Sequence, residues 1–563
     1  VFEDLYINGK KVTSHADITD EDQSVHFPKI RTSAVDKTTG FDETLAKGEQ
    51  TIVDTVSYWN LIVGEKYTVK GKLMDKSTGT ALLVNGKEVT VEKEFTADKV
   101  NGTIDLEFTF DASSLEGKTT VVFEDLYNSG VKVTTHSDIK DEAQTIRFPK
   151  VNTNALDKDT QLDEGMAKKT VTVKDDVHYF NLKVGETYKV SGVLMDKDTG
   201  DKFLVNGKPV TAEKEFVAEK ENGTVTLEFT FDGSALENKT LVVFEDLYHK
   251  GKHVGTHTDI HDEDQTVRYP KIRTSAIDKE TQFNESNADS DVTIVDTVSC
   301  WNLTEGNTYT IKGKLMDKAT GEPILVNGKE VISEKTFVAS RRDGEVELEF
   351  KFDGTSLNGK STVVFEDLFR DGKQLATHSD LNDNAQTTHL PKIATKAYDK
   401  DSQIDEAIAK KETTLIDEVS YENLTNGVEY TVKGTLMDKS TGEPLLVNGE
   451  EVHAEKTFIA GTEGATEEPR DRVSDKVLLE FTFDSSALEG QDVVVFEEMF
   501  REGKEVAFHT DITDGNQTVK FPKLRTTAVD GETNLDEGLG GSSEQKVVDT
   551  VSYWNLKPGT TYK

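Results

Sequence analysis

Five times in this chain a histidine is followed two residues on by an aspartate, five on by a second aspartate and eight on by a glutamine. The frames run His15 to Gln23, His136 to Gln144, His257 to Gln265, His378 to Gln386 and His509 to Gln517. Surface turns drift freely between copies of a repeat, so a fixed imidazole–carboxamide register implies a geometric requirement. Three more polar residues recur in step with it. They are a threonine (Thr32, Thr153, Thr274, Thr395, Thr526), an aspartate (Asp54, Asp175, Asp296, Asp417, Asp549) and a glutamate (Glu3, Glu124, Glu245, Glu366, Glu497). Their neighbours do not keep step: Thr55 becomes Asp176 and Glu418 in other copies. The other seven of the 12 histidines, such as His178 and His453, hold no common place and are expected to be solvated.

A hydroxyl, an imidazole, two acids and a carboxamide compose an acyl-transfer site that contains its own substrate. Threonine Oγ is the candidate nucleophile, and imidazole suits a proton shuttle near neutral pH. The glutamine side-chain carbonyl is the electrophile, and ammonia is lost. Buried carboxyls with raised pKa can orient the imidazole or hold a proton for the departing amine. An amide is a poor acyl donor, but oriented intramolecular groups reach effective molarities of about 10⁵–10⁸ M. Exclusion of water keeps the ester from hydrolysing.

Two plainer readings compete. The same residues could form a satisfied buried network in an ordinary sandwich, or the repeats could bind a host protein or glycan through their loops. Repetition in register on inward faces favours the crosslink. A turnover enzyme is not expected, because the electrophile belongs to the chain and reacts once. No cofactor or metal is called for: "DKDTGD" (196–201) lacks the spacing and terminal Glu of an EF-hand loop and reads as a solvated turn.

The elements that must position these groups come from a long repeat. "VVFEDLY" at 121 and 242 and "VVFEDLF" at 363 lie 121 residues apart, and "VVFEEMF" follows at 494. The last interval is longer by an acidic stretch, "GTEGATEEPRDRVSD" (461–475), that reads as a loop between strands. A period this long is a whole domain. Within it, "TVTVKDDVHYF" (170–180) and "GTVTLEFTF" (223–231) alternate with period two. Asn-Gly between apolar runs, as in "LLVNGKEV" (82–89), predicts a hairpin and recurs at Asn206, Asn327 and Asn448. No helical period persists. The fold class is therefore all-β, with tandem Ig-like antiparallel β-sandwiches forming an extended rod.

Each copy closes on a proline (Pro28, Pro149, Pro270, Pro391, Pro522), and the next begins at once with T-x-A-x-D. Proline ends ladder pairing, and no Gly/Ser linker intervenes, so close joints with limited bending are expected. The boundaries are 1–29 for the last part of one repeat, then complete repeats at 30–150, 151–271, 272–392 and 393–523, and 524–563 for the opening of another. A chain that starts inside a repeat is expected to be a segment of something longer.

Alternation places several of the recurring polar residues among apolar ones. Asp54 shares a face with Ile52, Val56 and Tyr58; Thr32 with Ile30 and Ala34; Gln144 with Ile146 and Phe148. Glu124 sits between Val122 and Leu126, although Val121 and Phe123 make the opposite face apolar too. Burying such groups unpaired costs roughly 1–3 kcal/mol each when neutral and more when charged. They are most cheaply explained if they meet one another. Trp59 and Trp301 lie in strands and are expected to fill the core.

Bulk composition narrows the function classes. A net charge of −39 argues against nucleic-acid binding, which requires basic patches. It also opposes anionic membranes, and no apolar run is long enough for a helical span. The one cysteine, Cys300, rules out disulfides within the chain and stands where other copies have Tyr58, Tyr179, Tyr421 and Tyr553. It is expected to fill a tyrosine's place rather than to do redox chemistry. A monomer whose partners are its own adjacent repeats is expected.

The motifs "VVFEDLY", H-x-D-x-x-D-x-x-Q-T, T-x-A-x-D and D-x-V-x-Y-x-N-L together resemble the VaFE-repeat, Thr–Gln ester-bond domains of Gram-positive surface adhesins. The resemblance covers essentially the whole chain. It departs at Ser24, which replaces the threonine after Gln23, and at Cys300. The resemblance implies an autocatalytic ester between a first-strand threonine and a last-strand glutamine, assisted by Asp, Glu and His. Carried over, it pairs Thr32 with Gln144, assisted by Asp54, Glu124 and His136. It pairs Thr153 with Gln265, assisted by Asp175, Glu245 and His257. It pairs Thr274 with Gln386, assisted by Asp296, Glu366 and His378, and Thr395 with Gln517, assisted by Asp417, Glu497 and His509. The assisting glutamate is always followed by another acid (Asp125, Asp246, Asp367, Glu498). The resemblance further implies a crosslinked stalk of a cell-wall-anchored extracellular protein, with the host ligand bound elsewhere.

Overall fold

Alternating sequence becomes alternating burial along the strand from Glu49 to Trp59, where Ile52, Asp54, Val56 and Tyr58 face inward. The protein is described here by a computed structural model that covers every residue except 462–471, 539 and 542. Among the described residues the regular structure is β-strand with short 3₁₀ turns and no α-helix. The chain divides into two compact units, Val1–Pro270 and Lys271–Lys563. Each holds two complete sandwiches and one terminal fragment.

The opening fragment is a hairpin of β1 (Glu3–Ile7) and β2 (Lys10–His15). The first complete sandwich follows with β3 (Lys29–Asp36), β4 (Glu49–Trp59), β5 (Lys66–Asp75), β6 (Leu83–Val84), β7 (Lys87–Glu88), β8 (Thr90–Thr96), β9 (Gly102–Asp111), β10 (Thr119–Asn128), β11 (Val131–His136) and β12 (Thr145–Arg147). One sheet has the order β3-β4-β9. The other has the order β11-β10-β5-β8, with β12 also on β10. All ladders within them are antiparallel. The Asn85-Gly86 hairpin between β6 and β7 forms with positive φ at both residues, 51° and 77°, the geometry that selects Asn-Gly. The same two sheets recur in the other three complete repeats.

The core lies between the sheets. Ile30, Ile52, Val56, Leu106 and Phe108 from one pack with Val69, Leu73, Val122, Leu126 and Ile146 from the other. Each such side chain contributes roughly 1.5–3 kcal/mol by leaving water. The sheets approach so closely at Gly71 that a Cβ there would stand 2.5 Å from Phe108 Cζ, and Gly192 meets Phe229 in the same way.

Cys300 is buried in the core of its repeat, in the register of the buried Tyr58, Tyr179 and Tyr421, and burial lifts its thiol to about 12. It is a filler, as expected. The tryptophans are not core residues. Trp59 is 38% exposed with Lys29 Nζ 5.6 Å over its ring, and Trp301 is half-buried under Lys271. Tyr58 and Cys300 take the inward positions, so their neighbours must face out. The expected loop at 461–475 falls largely outside the described residues, but 472–475 are strand. They open Arg472–Phe483, whose start pairs with an extended partner strand, Thr413–Thr425.

Candidate functional site: a buried threonine–glutamine pocket

Two ladders bring the pocket together. On the three-stranded sheet Ala34 pairs with Asp54, which sets Thr32, two residues back on the same face, beside the aspartate. On the other sheet Glu124 pairs directly with His136. A 3₁₀ turn (Glu142–Gln144) then returns the chain beneath them and delivers Gln144. All five residues are buried: Thr32 7%, Asp54 0%, Glu124 1%, His136 5% and Gln144 0% exposed. The Glu124 ambiguity resolves by position, since Asp125 points outward to Lys132.

Gln144 Nε2 donates to Thr32 Oγ1 at 2.8 Å and to Glu124 Oε2 at 2.7 Å. His136 Nδ1 stands 3.6 Å from the same Glu124 oxygen. The Asp54 and Glu124 carboxyls face each other. Burial, joined for Asp54 by the charge of Glu124, lifts both above the ordinary carboxylate range. With both ionised, the two Asp54 oxygens and Glu124 Oε1 have no hydrogen-bond partner. One proton held between the acids relieves the repulsion and supplies a donor. Burial, with Arg31, draws His136 below its usual range against the pull of Asp141, leaving a neutral imidazole able to accept a proton near pH 7.

The other complete repeats bring their residues together in the same way. Glu245 pairs with His257, Glu366 with His378 and Glu497 with His509, while Ala155, Ala276 and Ala397 pair with Asp175, Asp296 and Asp417. Gln265, Gln386 and Gln517 donate to Glu245, Glu366 and Glu497 at 2.8, 2.8 and 2.7 Å. Thr153, Thr274 and Thr395 are buried in each pocket, and their hydroxyls have no hydrogen-bond partner. Burial again raises both acids of each pair.

The aspartate five residues after each histidine has two contacts. It caps the turn: Asp141 Oδ1 accepts from Ala143 N at 2.9 Å. Its other oxygen, Oδ2, stands 3.2 Å from His136 Nε2, as Asp262, Asp383 and Asp514 stand 3.1, 3.2 and 3.4 Å from their histidines. The fixed gap of five was the signal. A pure cap needs no constant distance from the histidine, whereas a carboxylate that orients an imidazole does. Two histidines expected to be solvated are instead buried: His249, 1% exposed, and His389, 8% exposed, held by Ser361 and lowered to about 3 by burial.

The pocket holds a hydroxyl against a carboxamide, with the imidazole and the paired acids buried beside them. Comparison with known proteins gives a consistent result. A model of the "T-Q ester bond containing domain" matches residues 1–27, 28–148, 149–269, 270–390, 391–521 and 522–563. No curated protein matches the chain. Among solved structures, an adhesin from Mobiluncus mulieris described as containing intramolecular disulfide, isopeptide and ester-bond crosslinks aligns at 16% identity. That alignment covers 47% of this chain and 88% of the other, with a TM-score of 0.20. The C-terminal domain of the Streptococcus agalactiae AgI/II polypeptide BspA aligns at 10% identity, over 43% of this chain and 99% of the other, with a TM-score of 0.24. At these scores the structural alignments establish no shared function. The family match, which spans the chain from end to end, does establish kinship: the chain belongs to the T-Q ester bond containing domain family and carries six matching segments in tandem.

Proposed function

We propose that the chain is a stalk segment of a cell-surface adhesin, anchored to a Gram-positive cell wall, whose complete repeats are each closed by one Thr–Gln ester. The observation that carries this reading is the placement of Gln144 Nε2 between Thr32 Oγ1 and Glu124 Oε2 in a buried pocket. Thr32 Oγ attacks Gln144 Cδ, and His136 accepts the hydroxyl proton while Asp141 orients the ring. The tetrahedral centre collapses by breaking the Cδ–Nε2 bond. The proton shared by Asp54 and Glu124 goes to the departing nitrogen, which leaves as ammonia. The balance is one alcohol and one primary amide giving one ester and one ammonia, with no oxidant or cofactor. Asp54 or Glu124 is reprotonated by His136, so the pocket ends as it began and has no second substrate.

The value of the bond to a stalk follows from where it sits. Thr32 lies on β3, the first strand of the sandwich, and Gln144 immediately precedes β12, the last. Tension entering at one end passes through the ester to the other and bypasses the core. A chain-entropy estimate taken from disulfides gives about 4–5 kcal/mol for a closed loop of roughly 100 residues. Resistance to force and proteolysis is the larger gain. The acidic surface, with its net charge of −39, keeps such stalks soluble and apart. Intact mass tests the reading: the protein is expected to lack one ammonia per complete repeat, four in all. A mass equal to that of the sequence overturns it.

A further inference from the structure

The ester chemistry leaves a second recurring acid unused. After β3 the chain turns through a D-x-x-T-x-x-x-E pattern in which Asp36 Oδ1 accepts from Thr38 N and Thr39 N, and Thr39 Oγ1 donates to the Glu43 carbonyl at 2.7 Å. That turn carries the Glu43 carboxylate, 0% exposed, out of its own sandwich and into the next. There it accepts from the Tyr188 hydroxyl and lies 2.6 Å from His249 Nδ1. His249 is itself enclosed by the rings of Phe41 and Tyr188, at 5.0 and 4.6 Å between centroids. The other unit repeats the arrangement. Glu285, 0% exposed and pinned by Thr281, accepts from the Tyr430 hydroxyl at 2.8 Å and from Arg501 at 3.1 Å in the following repeat. Burial would raise the Glu285 carboxyl, but Arg472, Thr425 and Arg501 more than offset it and hold it charged.

A second contact accompanies each one. Asn181, at φ 64°, donates to the Lys118 carbonyl of the preceding repeat at 2.6 Å, and Asn423, at φ 65°, donates to Lys360 at 2.8 Å. Asn555 donates in the same way to Gln491 at 2.8 Å, where Tyr562 reaches Glu406. Asparagine and tyrosine recur as N-L-x₅-Y in all four complete repeats and in the closing fragment. A buried carboxylate is costly unless it is paired, and neither Glu43 nor Glu285 touches its own ester pocket.

We propose that this acid and the N-L-x₅-Y segment of the following repeat form a head-to-tail docking surface, whose partner is another repeat of the same kind and which fixes the angle between neighbours. The surface works without the ester. The strand-end residue on the incoming repeat completes it, as His249 in one junction and Arg501 in the other.

Spin labels at Glu94→Cys and Glu215→Cys, exposed equivalent strand positions in consecutive repeats, test this in the full chain with Cys300→Ala. One narrow distance distribution is expected. Glu43→Ala is expected to abolish the single narrow peak, while the ammonia deficit and the melting of the repeats persist. Tyr188→Phe, which removes one hydroxyl and no volume, is expected to broaden the peak less. The proposal is overturned if the parent distribution is already broad. It is equally overturned if the peak stays narrow in Glu43→Ala or, should that variant misfold, in Tyr188→Phe.

Discussion

Residues 1–29 and the first complete repeat contain the same half of the pocket in different surroundings. In the fragment, Glu3 pairs with His15 across the hairpin, Gln23 Nε2 donates to Glu3 at 2.6 Å, and His15 Nε2 meets Asp20 at 2.7 Å. These are the contacts of Glu124, His136, Gln144 and Asp141, yet Glu3 and His15 are exposed where their counterparts are buried. The closing fragment holds the other half: Ala528 pairs with Asp549, two residues from an exposed Thr526. Local ladder register therefore builds each half unaided. Only closure of two sheets supplies the missing partner, removes water and shifts the acids.

Peptide mapping is expected to show the largest difference between the open fragments and the closed repeats. Gln144, Gln265, Gln386 and Gln517 are expected in ester linkage, with Gln23 still an amide and Thr526 a free alcohol. A consumed Gln23 would mean that burial is not required. The next largest effect is on rate. Glu124→Gln removes the proton carrier and is expected to slow ammonia loss after refolding by roughly 10²–10⁴-fold, the usual scale of general acid–base catalysis, followed by mass against time.

Thr32→Ala leaves the first repeat unlinked and is expected to lower its unfolding free energy by about 4–5 kcal/mol in a denaturant titration. The same variant exposes the buried acids to linkage. Below the ordinary carboxylate pKa of about 4 both folded and unfolded states hold the protons. Above it the unfolded chain releases protons that Asp54 and Glu124, with raised folded values, retain, so stability falls as pH rises towards neutral. Adding Asp54→Asn should flatten that slope, and a slope of the opposite sign would refute the shared proton. The smallest effect comes from Asp141→Ala, which loses a turn cap worth about 1 kcal/mol. It should also slow crosslinking, whereas Asp20→Ala in the open fragment should change neither quantity.

Much of the pocket was legible because its residues sit on alternating strands. Asp54 and Thr32 betray themselves as polar residues in apolar company, and the His-to-Gln gap of eight is the length of one turn. Glu124 was harder, because Val121 and Phe123 make the opposite face of β10 apolar in sequence as well, so the hydrophobic pattern does not choose a face, although burial alternates from Val122 onward. Its ladder partner, His136, decides the matter. The inward-facing assignment of the tryptophans failed because a one-residue step reverses the face. His249 was beyond reach, since its environment is made by a different repeat.

What the sequence determined by itself is whatever depends on near neighbours and periodicity: the repeat length, the strands, the Asn-Gly hairpins, and a set of polar residues recurring in register. Local hydrogen bonding and two-residue alternation fix these without reference to distant chain. The tertiary structure alone decided which groups touch, which acids are buried against each other, and which carboxylate leaves its own sandwich to enter the next. Those depend on the removal of water between surfaces more than 100 residues apart, as Thr32 and Gln144 are, with a separation of 112. Desolvation is a property of the packed sheets, and no single segment carries it.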